Sequence, residues 1–571
     1  MKRGWVGALA VLAVAVAMAQ SPGIDLVDPL SGTAGPPILP AAGLGAERCI
    51  LLVPLDDRPA TTQFAEMIGR IGGITVETPP ATLLGRFTTP GQPDAILRWL
   101  QAQDLNRYDA VVLSTDMAAF GGLVASRTDA TPYRTAIERL RAIQRVRRAY
   151  PTIPFYAYSA MMRLTPTAQR ATANYRLILA KYVQARAKAA AGDAHSRLAL
   201  PGLARRLPEG SVRRYDTARY RNHRVQQELL RMTAVHVFDY LILGQDDAQP
   251  AGPHIAETRR LRQMAQNLSI TDRLYFCEGI DQHANVLVSR ALLHQSGWQP
   301  SVRIVYADDQ ARLKRDPYEV ESVETSLQDQ LVASGAREAK GGEPFDYSLY
   351  INTPEPRASA FTQFAQSLAE EIDQGLPVAV ADVNLGKSGT GDLGLFRILN
   401  QRDRPVRLLA YAGWNTAGNT IGTAIPTANV VLWARRTAVD PLVRELSQRT
   451  FLLHRLVNDF EYHRFTRPAA YRMVAEHYRG ESRDETEQPA LGAVNRFVRE
   501  DVARRLADLF RTQFLGRRFF AGNRQFVLTS LSDVSVELPW PRAYEVRIGF
   551  QLHATEVQTS VFLPPVIPTN R

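Results

Sequence analysis

Cysteine is almost absent from this chain, with only Cys49 and Cys277 among 571 residues. That excludes a disulfide-stapled scaffold, and no Cys-x-x-Cys pair or His-Glu-x-x-His run supports a zinc site. Each cysteine sits in an apolar strand-like run, which leaves either one disulfide between them or two buried thiols, and gives a catalytic thiolate no electropositive setting. Long hydrophobic runs are also missing. Beyond the first residues, nothing approaches the roughly 18 consecutive apolar residues of a membrane span. The formal charge is +11, yet there is no nucleic-acid motif, and the arginines are scattered along helices, as in Arg139 to Arg148, where solvated faces explain them. No internal repeat of fixed period is found.

What is present is a globular composition, 45% apolar and 22% charged, in a chain long enough for two or three cores. Lys2-Arg3, an apolar run from Trp5 to Met18 and Ala17-Met18-Ala19 form a charged n-region, an h-region and an A-x-A site, so residues 1–19 are expected to be an export signal. The charge falls to +9 once Lys2 and Arg3 leave. Residues 20–47, rich in Pro, Gly and Ala, are expected to be a flexible lead-in. The mature protein would then be periplasmic or extracellular with no membrane span, its basicity suited to anionic wall polymers or lipid surfaces.

From Cys49 to about Tyr306, short apolar runs alternate with amphipathic ones: strands at 49–55, 74–78, 109–114, 153–159, 239–244, 273–278 and 302–306, with helices between. This predicts an α/β fold of repeated βα units, a parallel sheet that is either open or closed as a barrel. Residues 191–215 read as an insertion suited to capping a cleft. A turn at Gly341-Gly342-Glu343-Pro344 opens a second βα series, so the expected units are an N-terminal α/β domain at 48–340, a smaller α/β lobe at 341–435, and a helical region with a terminal β-hairpin at 436–571.

The strands end in acids and amides. Parallel strands point one way, so these residues are expected at one face, where sites form. Asp56-Asp57-Arg58 follows the first strand; an adjacent Asp pair there sends one carboxylate into a cleft, and Arg58 holds a carboxylate or an anionic ligand. The alternative is a structural Asp-Arg knot. Asp246-Asp247 after Gln245 is a second pair, in which one carboxylate raises the pKa of the other, as general acid work requires. Asp116, Glu278, Asp281, Gln282, Asp382 and Asn384 extend the same face. An oxygen-rich set of this kind also suits Mg or Mn, so a metal stays open. Residues 381–388 resemble a phosphate loop, but Ala381 replaces its first Gly, which leaves Lys387 for an anion or sugar hydroxyls. In Gly413-Trp414-Asn415-Thr416-Ala417-Gly418-Asn419, Trp414 suits stacking on a sugar ring, with Asn415 and Asn419 bonding its hydroxyls. A helix cap with a packed Trp is the alternative.

The chain resembles the uncharacterised bacterial family DUF4127. The resemblance rests on Pro54 to Pro59, Ser114-Thr115-Asp116-Met117 with Gly121-Gly122-Leu123, Gln245-Asp246-Asp247, Gly413 to Thr420, and Leu538-Pro539-Trp540-Pro541-Arg542. Asn458-Asp459 stands where a Glu-Asp pair is expected. The resemblance implies a shared fold and cleft and carries no activity.

The leading expectation is an exported hydrolase of a glycan or other hydroxyl-rich envelope polymer, with Asp247 as general acid and Asp246 or Asp57 as its partner. Asp56, Arg58, Asp116, Glu278, Asp281, Gln282, Asp382, Asn384, Lys387, Trp414, Asn415 and Asn419 would hold substrate, with no cofactor. A Mg- or Mn-dependent phosphoester or amide hydrolase and a non-catalytic sugar-binding protein are the alternatives.

Overall fold

The computed structural model describes residues 48–557, so the expected signal and lead-in lie outside the described residues. The chain is α/β, built on two open parallel sheets and a smaller antiparallel one. The first sheet is formed by β1 (Cys49–Val53), β2 (Thr75–Glu77), β3 (Ala110–Ser114), β4 (Phe155–Met161), β5 (Tyr240–Gln245) and β6 (Leu274–Glu278), in the order β2-β1-β3-β4-β5-β6. The second is formed by β7 (Ser301–Tyr306), β8 (Arg337–Glu338), β9 (Tyr347–Asn352), β10 (Val378–Asp382) and β11 (Ala410–Ala412), in the order β11-β10-β9-β7-β8. Strands such as Cys-Ile-Leu-Leu-Val and Val-Ala-Val-Ala-Asp are buried along their whole length, because helices cover both faces of each sheet.

The change of sheet falls between β6 and β7. It does not lie near residue 340, because β7 pairs in parallel with β9 from Val302↔Tyr347 to Tyr306↔Ile351. A short apolar strand carries the same local pattern whichever sheet it joins, so only the pairing assigns it. The two sheets also share one core. Ile50, Val112 and Ile242 of the first belong to the same apolar cluster as Leu349, Ile351 and Ala379 of the second. Between them lie the helices Gln63–Ile71, His283–Ser296, Val323–Ser334 and Ala417–Arg435. The last is buried on nearly every side, and its N-cap Thr416 accepts a hydrogen bond from the Asn419 N–H.

The Ala417–Arg435 helix approaches the first sheet through Gly418. A Cβ there would lie 2.4 Å from the Glu278 carbonyl oxygen and 3.0 Å from Glu319 Oε1. Gly418→Ala is therefore expected to cost about 1–3 kcal/mol through a forced shift of backbone against backbone. A lowered urea midpoint with an unchanged m-value would show it.

The C-terminal region is mostly helical and ends in β12 (Arg518–Ala521), β13 (Arg524–Glu537) and β14 (Arg547–Glu556), antiparallel in that order. The expected hairpin is β13 with β14, and β12 adds a third strand. Alternate residues of β13 and β14 pack into the core outside the second sheet. The residues between these two strands, Leu538 to Val546, reach the carboxyl ends of the first sheet. Within the helical part, Leu456–Thr466 widens into a π-helix. Cys49 and Cys277 are buried and not joined by a disulfide. Among the described residues, no helix is long and apolar enough to cross a membrane.

Candidate functional site

The strand-end residues divide into a structural set and a smaller set that reaches solvent. Arg58 is buried and bonds both oxygens of Asp56 at 2.8–3.0 Å and both of Asp281 at 2.7 and 3.0 Å. Its guanidinium lies 4.9 Å from the Trp540 ring centroid. The Asp-Arg knot is thus the reading that applies to Asp56, Arg58 and Asp281: it ties β1 to the turn after β6 and leaves Arg58 no free edge for a ligand.

Asp57, expected to be catalytic, accepts the Trp540 indole N–H at 2.6 Å, and its carbonyl accepts Arg547 at 2.8 Å. Burial lifts its pKa to about 6. It anchors the loop between β13 and β14. Asp246 is buried and paired with Arg127. Asp116 is buried behind β3, accepts the Ala160 N–H at 2.7 Å, and is pushed up to about 7 by burial. Asp382, fully buried, takes bonds from Asn352 at 2.8 Å and the Asp392 N–H at 2.6 Å, and burial raises it to about 7.

Trp414 is core rather than a sugar platform: it is 6% exposed, its ring is 5.6 Å from that of Phe64, and its indole N–H donates to Thr423. Asn384 braces its own loop, accepting the Glu355 N–H and donating to Asp392. The Lys387 side chain lies outside the described residues. Glu278 turns away from the others. Its Oε1 accepts the N–H groups of Val320 and Glu321, and burial raises it to about 7. With Gln245, Arg259 and Arg262 it lines a separate cavity of about 470 Å³.

What remains converges on Asp247. It is ion-paired with Arg163, and its side chain is 30% exposed. Burial raises its pKa, against the pull of Arg163. Beside it is Asp316, which burial chiefly, and the Asp247 charge in addition, lift to about 6. Asp316 accepts the Tyr318 N–H at 3.0 Å, and Glu319 one turn on accepts the Gly418 N–H at 2.7 Å.

Tyr544, on the loop between β13 and β14 and 37% exposed, lies near enough to Asp247 to feel its charge. Its hydroxyl donates to Asn415 Oδ1 at 2.6 Å, and the guanidinium groups of Arg467 and Arg542 each lie 5.3 Å from its ring. Asn415 has φ +60°, a left-handed conformation that Asn tolerates better than most residues. Its amide donates to Asn419, which is buried and donates to Gln282 at 2.7 Å. A polar line therefore runs from the C-terminal loop across the second sheet to the first. Asp459 of the π-helix steadies it by accepting the Gly413 N–H at 3.0 Å.

The family model described as "Protein of unknown function (DUF4127)" matches residues 50–549, nearly the whole chain. The chain belongs to the DUF4127 family. No curated protein matches it. Among solved structures, the carboxyl transferase domain from Rhizobium etli pyruvate carboxylase with 3-bromopyruvate is similar at 11% identity. That alignment covers 94% of this chain and 96% of that one, with a TM-score of 0.18.

In this DUF4127 chain, then, Asp247 and Asn415 are partly exposed expected site residues that both neighbour Tyr544, with Asn419 and Gln282 buried behind Asn415. Sequence reading missed Arg163, Asp316, Tyr544 and Arg467. Tyr544 had a signal, the Pro539-Trp540-Pro541 stretch just ahead of it, but it reads locally as a hairpin connection. The acids proposed for Mg or Mn do not fit a metal: Asp56, Asp57, Asp246 and Asp247 are engaged by Arg58, Trp540, Arg127 and Arg163 rather than turned on one point. Among the described residues, no group of three or more His, Cys, Asp or Glu is arranged for one.

The raised carboxyls carry a pH consequence. Asp116 and Asp382 titrate near 7 in the folded chain and Asp57 and Asp316 near 6, against about 3.9 when unfolded. The folded state therefore holds more protons between about pH 4 and 7, and each group's contribution is lost as pH rises through its folded value. Thermal midpoints should fall from pH 5 to pH 8, less steeply in Asp116→Asn. A flat or rising profile would contradict these assignments.

Proposed function

We propose that this DUF4127 protein is an exported hydrolase acting on a carbohydrate or other hydroxyl-rich cell-envelope polymer by carboxylate acid/base chemistry. The observation that carries this reading is the pairing of Asp247 with Asp316 at the carboxyl end of β5: two neighbouring carboxyls lifted by burial, one of them open to solvent. Neighbouring carboxyls disfavour each other's ionisation, so one is able to hold a proton to donate while the other stays ionised. Asp247 is the general acid. The partner role passes from Asp246 and Asp57, which Arg127 and Trp540 hold, to Asp316. Tyr544 offers a ring for a sugar face, and Asn415 an amide for its hydroxyls. Arg163 orients the Asp247 carboxyl. Export rests on the n-region, h-region and A-x-A pattern of residues 1–19.

The test is product release from a panel of envelope polysaccharides and peptidoglycan fragments, comparing the protein with Asp247→Asn, each with and without EDTA. Product that persists in EDTA and disappears in the variant is the expected result. Turnover in Asp247→Asn within a few-fold of the parent would remove the assignment, and loss in EDTA would move the chemistry to a metal. A ligand that raises the melting temperature with no product after long incubation would make the cleft a binding site.

A further inference from the structure

The excursion between β4 and β5 has a surface that the cleft does not use. The helices Arg176–Ala190 and Ala194–Ala204 form a hairpin in which the second packs on the first. The first reaches the body of the protein through a small cluster of its own, where Leu179 and Val183 meet Met162, Leu164, Tyr215 and Ala218. The outer helix, Ala-His-Ser-Arg-Leu-Ala-Leu-Pro-Gly-Leu-Ala, is unusually apolar for one so open to water. Leu198 is 81% exposed and Leu177 on its neighbour 59%, and a Cβ added at Gly192 or Gly202 would meet nothing within 4 Å.

Charge is concentrated on the same excursion. Residues 176–216 contain nine Lys or Arg and three Asp or Glu, a net +6 out of the chain's +11. Arg186 is neutralised by Asp216 and Arg176 by Asp484. Among the described residues, Lys181, Arg197, Arg205 and Arg206 form no ion pair and are exposed. Exposed leucines flanked by unpaired cations have no stabilising role in the fold, since leucine in water contributes nothing and the like charges repel.

We infer that this hairpin is a docking surface for an anionic lipid bilayer. Its leucines enter the interface while the guanidinium and ammonium groups remain at the lipid phosphates. Charge alone would fit any polyanion. The exposed Leu198 and Leu177 select a bilayer, because a soluble polyanion offers them no apolar phase. The inference is independent of the chemistry assigned to Asp247.

The test uses the full chain with vesicles of phosphatidylcholine, alone or mixed with phosphatidylglycerol. Co-sedimentation is expected with the anionic vesicles and not the neutral ones, and it should fall at high salt. The combined variant Leu198→Glu, Arg205→Glu, Arg206→Glu should bind at least about tenfold more weakly, since each basic residue near such a surface contributes about a factor of five or more. All three positions are exposed, so its melting temperature should match the parent's. A dye placed on Leu198→Cys reports the hairpin itself, because Cys49 and Cys277 are buried. Its emission should shift to the blue on anionic vesicles.

Equal binding by the triple variant, no sedimentation at all, or sedimentation with an unshifted dye would each overturn the inference. Tighter binding of soluble polyphosphate than of the anionic vesicles, again with an unshifted dye, would overturn it in favour of an anionic polymer.

Discussion

Arg58→Ala should destabilise the protein by about 3–5 kcal/mol, the largest single-residue effect expected on stability. Burial disfavours the guanidinium charge, but Asp281 and Asp56 more than restore it, so its pKa lies above that of an ordinary arginine. The reverse dependence makes the residue costly to remove. Asp56 would keep the Thr61 hydroxyl at 3.0 Å and the residue-58 N–H at 3.2 Å, but Asp281 would lose both the hydrogen bonds that Arg58 gives it in a site 7% exposed. A buried carboxylate so stranded must take up a proton or admit water. Two further measurements separate the lost pair from lost packing. Arg58→Met combined with Asp281→Leu should recover part of the loss, because Asp281 is then no longer stranded, while Asp56, still without its cation, keeps the Thr61 and backbone bonds. Arg58→Ala alone should be relatively less destabilised at acid pH, where Asp281 is protonated. A double variant no better than the single one would mean that the stranded Asp56 charge or packing on Trp540 dominates.

Asp247→Asn should lower turnover by about 10²–10⁴, the usual contribution of a positioned general acid, with little change in folding stability. Its side chain is partly exposed and its partner Arg163 is 25% exposed, so the freed guanidinium retains contact with water. Asp316→Asn is the discriminating companion. Asp247 and Asp316 repel one another when both are ionised, so removing the Asp316 charge should make the Asp247 proton easier to lose. The alkaline limb of kcat/KM should then move to lower pH while a slower activity remains. A purely structural Asp316 would change the amplitude and leave the limb in place.

The two acid motifs looked alike in sequence, and the structure separates them by their partners. Asp56-Asp57 and Asp246-Asp247 each follow a buried strand, and three of the four are locked by Arg58, Trp540 and Arg127. Those partners lie from 2 to 483 residues away, and only Arg58 is a sequence neighbour. The Arg58 knot was accordingly foreseeable as an alternative, whereas the Trp540 bond to Asp57 was not. Trp414 failed as a sugar platform for a related reason. A Trp beside Gly and Asn has the composition of a binding loop, but the burial of the following helix draws it into the core against Phe64.

The sequence by itself determined the βα alternation, the acids at the carboxyl ends of the strands, the terminal antiparallel pair and membership of the family. All of these follow from short-range periodicity, from strand polarity, or from residues that stand together in the chain. Tertiary structure alone decided that β7 joins the second sheet, that the two sheets share one core, and that Asp247 and Asp316 are near enough for the charge of one to act on the other. It also decided that Tyr544 comes in from the far end of the chain. Strand pairing and carboxylate partnership are contacts between distant segments, and their free energies depend on burial and neighbours that no local window of residues contains.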